Sequence, residues 1–292
     1  MTNERNDDMI LDETYTLANG VQIPKLGLGT WFIDDDKVGR AVGDAIGIGY
    51  RNIDTAQAYG NERGVGEGVR GSGVPREQLF VSTKLAAEIK EHDAAVAAID
   101  GSLATLDIDY IDLMLIHSPQ PWNDFRGGGY DEGNRQAWRA LEEVHAAGRI
   151  RAIGVSNFQQ RDIENILEVA TVAPQVNQIL VHIGNTPTEL IDYCQDAGVL
   201  VEAYSPIAHG EILHRPELRA VAERYGVSVP QLCIRYTLQL GAVSLPKTAN
   251  PEHQRANADV DFVISDDDMG TLRNLDLRDY GRSSAFPVYS GR

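Results

Sequence analysis

A strand-then-helix rhythm running along nearly the whole chain constrains its fold more than any other feature. Short apolar runs occur at Leu26 to Leu28, Asn52 to Asp54, Phe80 to Lys84, Asp112 to His117, Ala152 to Ser156, Val176 to Ile179, Leu200 to Tyr204 and Val243 to Lys247. Segments of helical period lie between them, at Val38 to Ile48, Ala94 to Leu106, Arg135 to Ala147, Ile163 to Ala170, Glu189 to Ala197, Glu217 to Tyr225 and Pro230 to Leu240. Gly49, Gly148 and Gly198 follow helical runs where a C-terminal cap belongs. Eight strands alternating with helices in 292 residues predict an α/β fold, a single closed (β/α)8 TIM barrel. An open doubly wound sheet would want a Gly-rich phosphate loop after its first strand. Leu26-Gly27-Leu28-Gly29-Thr30-Trp31 lacks the third glycine, so it reads as strand plus turn.

Ahead of the barrel, Tyr15 to Ile23 alternates around the pair Asn19-Gly20, which predicts a β-hairpin. Met1 to Glu13 is polar and acidic without an apolar core, so it is expected as a flexible tail and not a secretory signal. Residues 14–292 then form one domain, since no linker or low-complexity stretch interrupts the rhythm.

The net charge of -17, from 43 acidic against 26 basic residues, makes nucleic acid and anionic membrane poor partners. Acidic clusters at Asp34-Asp35-Asp36 and Asp266-Asp267-Asp268 are expected in loops. An acidic, lysine-poor surface suits a salt-rich cytoplasm, where screening weakens self-repulsion. Cys194 and Cys233 show no metal-ligand spacing and read as buried thiols in a reducing compartment. No run reaches the length of a membrane span, so a soluble cytoplasmic protein without a metal site is expected.

The strand ends carry chemistry: Asp54, Lys84, His117, Ser156, Gln178, Tyr204 and Lys247. In a barrel all strand C-termini open on one face. Lysine is scarce, at Lys25, Lys37, Lys84, Lys90 and Lys247, and two of the five end apolar runs. A lone terminal lysine reads most simply as snorkelling to solvent; several polar strand ends together do not. The stretch Gly49 to Glu62 adds a phenol, Tyr59, in the loop after Asp54. A phenol with a reference pKa of about 10 needs a cation to act as an acid near neutrality. Asp54 is expected to hold Lys84, Lys84 to lower the Tyr59 pKa, and a neutral His117 to orient an oxygen that becomes negative. That set suits carbonyl reduction, and hydride then requires a nicotinamide cofactor. Ser156, Asn157 and Gln178 suit its carboxamide, Tyr204 its ring, Ser205 a pyrophosphate, and Lys247-Thr248 a terminal phosphate. Of the other histidines, His145, His209 and His214 read as surface or helix residues and His182 as a satisfied core histidine.

These motifs resemble the aldo-keto reductase family from Gly20 to about Asp276. The likeness is carried by Gly49 to Glu62, Val81-Ser82-Thr83-Lys84, Leu115-Ile116-His117-Ser118-Pro119, Ile153 to Phe158, Asn177-Gln178, Ala203-Tyr204-Ser205-Pro206 and Leu245-Pro246-Lys247-Thr248. The resemblance implies a barrel enzyme reducing aldehydes or ketones, with Asp54, Tyr59, Lys84 and His117 as catalytic residues and Tyr59 as acid. It implies cofactor contacts at Gly29, Thr30, Ser156, Asn157, Gln178, Tyr204, Ser205, Lys247, Thr248, His253 and Asn257. It also implies a small carbonyl substrate, lined by Trp31, His117 and Trp122, and a monomer or weak dimer.

The chain departs from the pattern in three places. Ile179-Leu180-Val181-His182-Ile183 replaces a stretch that usually carries a glutamate and a His-Pro pair. His253 and Ala256 stand where an arginine and a glutamate commonly meet the 2'-phosphate and adenine, so NADPH is expected over NADH with reduced discrimination. Ser118-Pro119 lacks the usual tryptophan before proline, and the tail beyond Tyr280 is short. Trp122 reads equally as pocket wall or loop packing, and Phe125 is a further candidate for the wall. Two other functions fit less well. A Schiff-base aldolase would use Lys84 as nucleophile, but Asp54 would keep that amine protonated. A nucleotide-sensing barrel without turnover would keep Tyr204 and Lys247 but have no use for the four catalytic-type residues.

Overall fold

The Asn-Gly pair makes the expected turn: Thr14–Thr16 (β1) and Gln22–Pro24 (β2) pair antiparallel, and Gly20 takes φ 86°, which favours glycine. The computed structural model describes residues 9–290. Most of the expected acidic tail lies outside the described residues, but its last part is docked: Ile10 is buried and its N–H donates to Asp261 Oδ1 at 2.9 Å.

Eight parallel strands follow, Gly27–Gly29 (β3), Asn52–Asp54 (β4), Phe80–Leu85 (β5), Ile111–Ile116 (β6), Ile150–Ser156 (β7), Val176–Leu180 (β8), Leu200–Tyr204 (β9) and Val243–Leu245 (β10). Each pairs with the next in sequence, and parallel bridges Leu26 to Ser244 and Gly29 to Lys247 join last to first, closing the barrel. Inside it, Phe80, Leu113, Val176 and Val243 form one cluster with Leu17 and Ile23 of the hairpin, which therefore stoppers the N-terminal end of the strands. The larger core lies between the strands' outer faces and the helices, around Trp138, Ile53, Val81 and Ile153. Burial on both faces explains why these strands read as near-continuous apolar runs.

The helices are Asp35–Ile48 (α1), Glu62–Gly71 (α2), His92–Leu106 (α3), Asp131–Ala146 (α4), Gln160–Leu167 (α5), Thr188–Asp196 (α6), Pro216–Tyr225 (α7), Val229–Gln239 (α8), Pro251–Ala258 (α9) and Asp266–Arg273 (α10). The sequence pattern missed α2, α9 and α10. Helix α2 carries four glycines, which disfavour helix, yet they let α1 come close: a Cβ on Gly64 would lie 2.2 Å from the Asp35 carbonyl oxygen. The acidic clusters are not loops but helix starts. Asp35 and Asp36 open α1, and Asp266, Asp267 and Asp268 open α10 behind the Ser265 cap, where the helix dipole favours negative charge. Cys194 and Cys233 are free and buried, and burial pushes the Cys233 thiol up to about 12. Among the described residues, no helix is long and apolar enough to cross a membrane.

Candidate active site

The register of the sheet collects the polar strand ends. Asp54 ends β4, Lys84 lies at the end of β5 and His117 follows β6, while Tyr59 is carried by a helical turn, Gln57–Tyr59, just after β4. Side chains of that stretch fix the turn. Gln57 Nε2 donates to Ala98 O and Ser102 Oγ, and its Oε1 accepts from the Ala86 N–H. Asn61 Nδ2 donates to Thr30 O and Ile33 O, while Thr55 Oγ1 donates to Asn61 Oδ1. The loop that presents the phenol is thereby tied to three neighbouring elements.

Lys84 is fully buried, and its Nζ donates to both Asp54 oxygens at 2.7 and 2.8 Å, to Thr55 O at 2.8 Å and to the Tyr59 hydroxyl at 3.3 Å. Burial favours loss of its proton, but Asp54 and Tyr59 outweigh this and raise its pKa, so the amine stays an ammonium. A protonated amine disfavours the Schiff-base alternative. The Tyr59 oxygen accepts from Lys84, so its own proton is free for the cavity. Burial raises the Tyr59 pKa above its ordinary value, and Lys84 lowers it, as expected, but by less. In this site the ammonium limits the cost of a buried phenolate without producing an acidic phenol. His117 meets Tyr59 edge to face at 5.6 Å, and burial together with Lys84 holds its pKa well below the ordinary value, so it is neutral. Its Nδ1 is buried with no hydrogen-bond partner.

Ser156, Asn157, Gln178 and Tyr204 line the same 320 Å³ cavity as Tyr59 and His117. Ser156 Oγ donates to Gln178 O at 2.9 Å, Asn157 Nδ2 to His117 O at 3.0 Å, and the Tyr204 hydroxyl to Asn157 Oδ1 at 2.7 Å. Asn157 and Ser205 adopt φ of 62° and 51°, a left-handed conformation that concentrates at functional sites. Amide and hydroxyl groups beside an aromatic face fit a carboxamide-bearing ring. The remaining expected cofactor residues lie outside this cavity. Thr30 is buried and donates to Asp54 O, and Gly29 bridges to Lys247. Lys247 is exposed and makes no ion pair with another described residue; Thr248 Oγ1 accepts from the Asn250 N–H. His253 is exposed on the first turn of α9, where Asn257 is buried.

Trp31 and Trp122 both face the cavity, with Trp122 edge-on to His117 at 4.9 Å. Phe125 stacks on Trp122 at 5.9 Å and lines two adjoining pockets but not this one. The pattern missed the C-terminal wall, Phe286, Pro287 and Val288, because that segment has no periodicity to signal it. Tyr289 behind it shares hydrogen bonds with Ser205 Oγ at 2.6 Å and His209 Nε2 at 2.7 Å. His209 is thus not a plain surface residue, since it also packs edge-on against Trp31 at 5.3 Å. His182 is satisfied in the core by Ile183 O and the Tyr280 hydroxyl. Glu202, buried beside Gln178 on the neighbouring strand, was missed too; inside a strand it looks like one alternating polar residue.

The chain resembles known proteins along most of its length. Residues 25–277 match the model of the Aldo/keto reductase family. The chain is 41% identical over 267 residues to a glyoxal reductase of Bacillus subtilis, covering 91% of this chain and 93% of that protein. It is 38% identical over 275 residues to a morphine 6-dehydrogenase of Pseudomonas putida, covering 89% and 90%. An aldo/keto reductase structure from Brucella melitensis superposes with a TM-score of 0.84 at 36% identity, covering 90% of this chain and 99% of that one.

Proposed function

Because this chain belongs to the aldo/keto reductase family, we propose that it reduces an aldehyde or ketone with NADPH, Tyr59 supplying the proton. The observation that carries this reading is the saturation of Lys84: with Asp54, Thr55 and Tyr59 taking its N–H bonds, the ammonium faces the phenol oxygen and the phenol proton faces the cavity. When bound, the cofactor supplies hydride to the carbonyl carbon. Tyr59 donates its proton to the oxygen as negative charge develops there, and Lys84 stabilises the phenolate left behind. Neutral His117 donates a second hydrogen bond to that oxygen and fixes its direction. Ser156, Asn157 and Gln178 would hold the carboxamide, Tyr204 the ring, and Ser205, Lys247, Thr248 and Asn257 the phosphates and adenine, with Gly29 and Thr30 shaping the first strand's end. In this reading the protein works in a salt-rich cytoplasm.

The walls favour an uncharged, apolar substrate. Trp31, Trp122, Phe286, Pro287 and Val288 line the cavity, and among the described residues no lysine or arginine does. A carboxylate would be desolvated there without a partner. Benzaldehyde should therefore exceed 4-carboxybenzaldehyde in kcat/KM by about tenfold or more, followed by NADPH absorbance. Equal values would remove the apolar assignment, and no turnover of any carbonyl in a broad panel would remove the reductase.

Cofactor preference is expected to be shallow. An imidazole at position 253 grips a phosphate less firmly than a guanidinium fork. His253→Arg should raise the NADPH over NADH ratio of kcat/KM by about tenfold, one charge-assisted contact's worth. An unchanged ratio would mean that His253 does not meet the 2'-phosphate.

A further inference from the structure

The barrel interior holds two carboxyls against one ammonium. Gln178 Nε2 has two N–H bonds, and it donates one to Asp54 Oδ1 at 2.9 Å and the other to Glu202 Oε2 at 3.0 Å. Glu202 is completely buried on β9, one layer below the strand ends. Its Oε1 has no partner within hydrogen-bond distance, although the Asn52 side chain acts on Glu202 and lowers its pKa, while Asn52 Oδ1 is left buried and unpartnered. A proton on Oε1 would give the Asn52 oxygen the donor it lacks. The polar groups acting on Glu202 are Asp54 and Asn52 from β4, Lys84 from β5 and Gln178 from β8, while its register partner on β10 is Val243. Lys84 is already committed to Asp54.

We propose that Glu202 is a positioning residue that carries a proton on Oε1 and, by releasing it to solvent, adds a negative charge beneath Lys84 that makes Tyr59 a weaker acid. Neutral Glu202 leaves the network balanced, with Asp54 and Lys84 cancelling. Ionised Glu202 strengthens the hold on the ammonium and opposes the neighbouring phenolate. Reduction then slows through ionisation of a side chain that touches neither substrate nor cofactor. Burial first, then Asp54, pushes the Glu202 pKa up to about 7, which places the change in the physiological range.

The sign for stability follows from linkage. A buried acid with a raised pKa leaves the folded state at full advantage below the unfolded value, and that advantage is lost as pH rises through the folded one. Wild-type thermal stability should therefore fall between about pH 4.5 and about pH 7 by an amount that Glu202→Gln, nearly the same shape, does not show. A packing defect would instead offset the variant equally at every pH. In the wild type alone, the infrared carbonyl band of a protonated carboxylic acid should persist to about pH 6 and be gone by about pH 9, since exposed carboxyls ionise near pH 4. The pH at which reduction falls by half should move up by at least about one unit in the variant. Absence of the infrared band in the wild type, or identical pH profiles for variant and wild type, overturns the proposal. The link to Tyr59 rests on the reductase reading, but the band and the stability profile need no turnover, so a failure of either idea is seen separately.

Discussion

Tyr59→Phe should lower kcat for carbonyl reduction by about 10²–10⁴-fold, the range for losing a positioned general acid. The dissociation constant for NADPH should stay within about twofold, because a change of less than about 0.4 kcal/mol is expected where no contact is lost. The ring remains, with Trp31 stacked against it at 6.3 Å and His117 at its edge. Only the hydroxyl goes, and with it the weakest of the Lys84 contacts, at 3.3 Å. The turn bearing residue 59 is held by Gln57 and Asn61, whose bonds do not involve the phenol. Ser156 Oγ donates to the Gln178 backbone oxygen, Asn157 Nδ2 to Ser156 Oγ and His117 O, and Gln178 Nε2 to Asp54 and Glu202, so these groups keep their places. Cofactor fluorescence titration together with steady-state rates separates the two effects. A variant with full turnover would take the acid role away from Tyr59.

The second large effect concerns stability. Lys84→Met keeps the side-chain length but leaves Asp54 a buried carboxylate without its counter-charge. Removing one partner of a buried pair costs about 3–5 kcal/mol, and urea unfolding should show a loss of that order. Gln178 Nε2 still donates to Asp54, which moderates the loss. Pairing Lys84→Met with Asp54→Asn should recover much of the stability, because the charge left behind, more than the lost bonds, carries the penalty. Additive losses in the double variant would show instead that packing around residue 84 dominates. Activity should be lost in all three proteins, so the two measurements address different parts of the site.

The barrel was legible because its strands are buried on both faces and several of its helices end at or beside a glycine, as at Gly49, Gly148 and Gly198. Eight apolar runs and seven helical segments emerge within a few residues of their observed limits. What escaped notice had a physical reason. Four glycines hide α2 from any propensity argument, although close packing on α1 requires them. Helix α9 is polar, and α10 opens with three aspartates that look like a loop until the helix dipole explains them. In the site, Asp54, Lys84 and His117 were visible as polar ends of buried strands. Glu202 was not, since its depth inside the barrel depends on neighbours far away in sequence. The net Tyr59 shift was hidden for a similar reason: a cation can be inferred from residue types, whereas the degree of burial opposing it cannot.

The cavity is enclosed by segments far apart in the sequence. Trp31 follows the first barrel strand, and it packs edge-on against Phe286 at 5.1 Å and parallel to Tyr289 at 6.3 Å. Closure of the cavity therefore depends on contacts between residues far apart in the sequence.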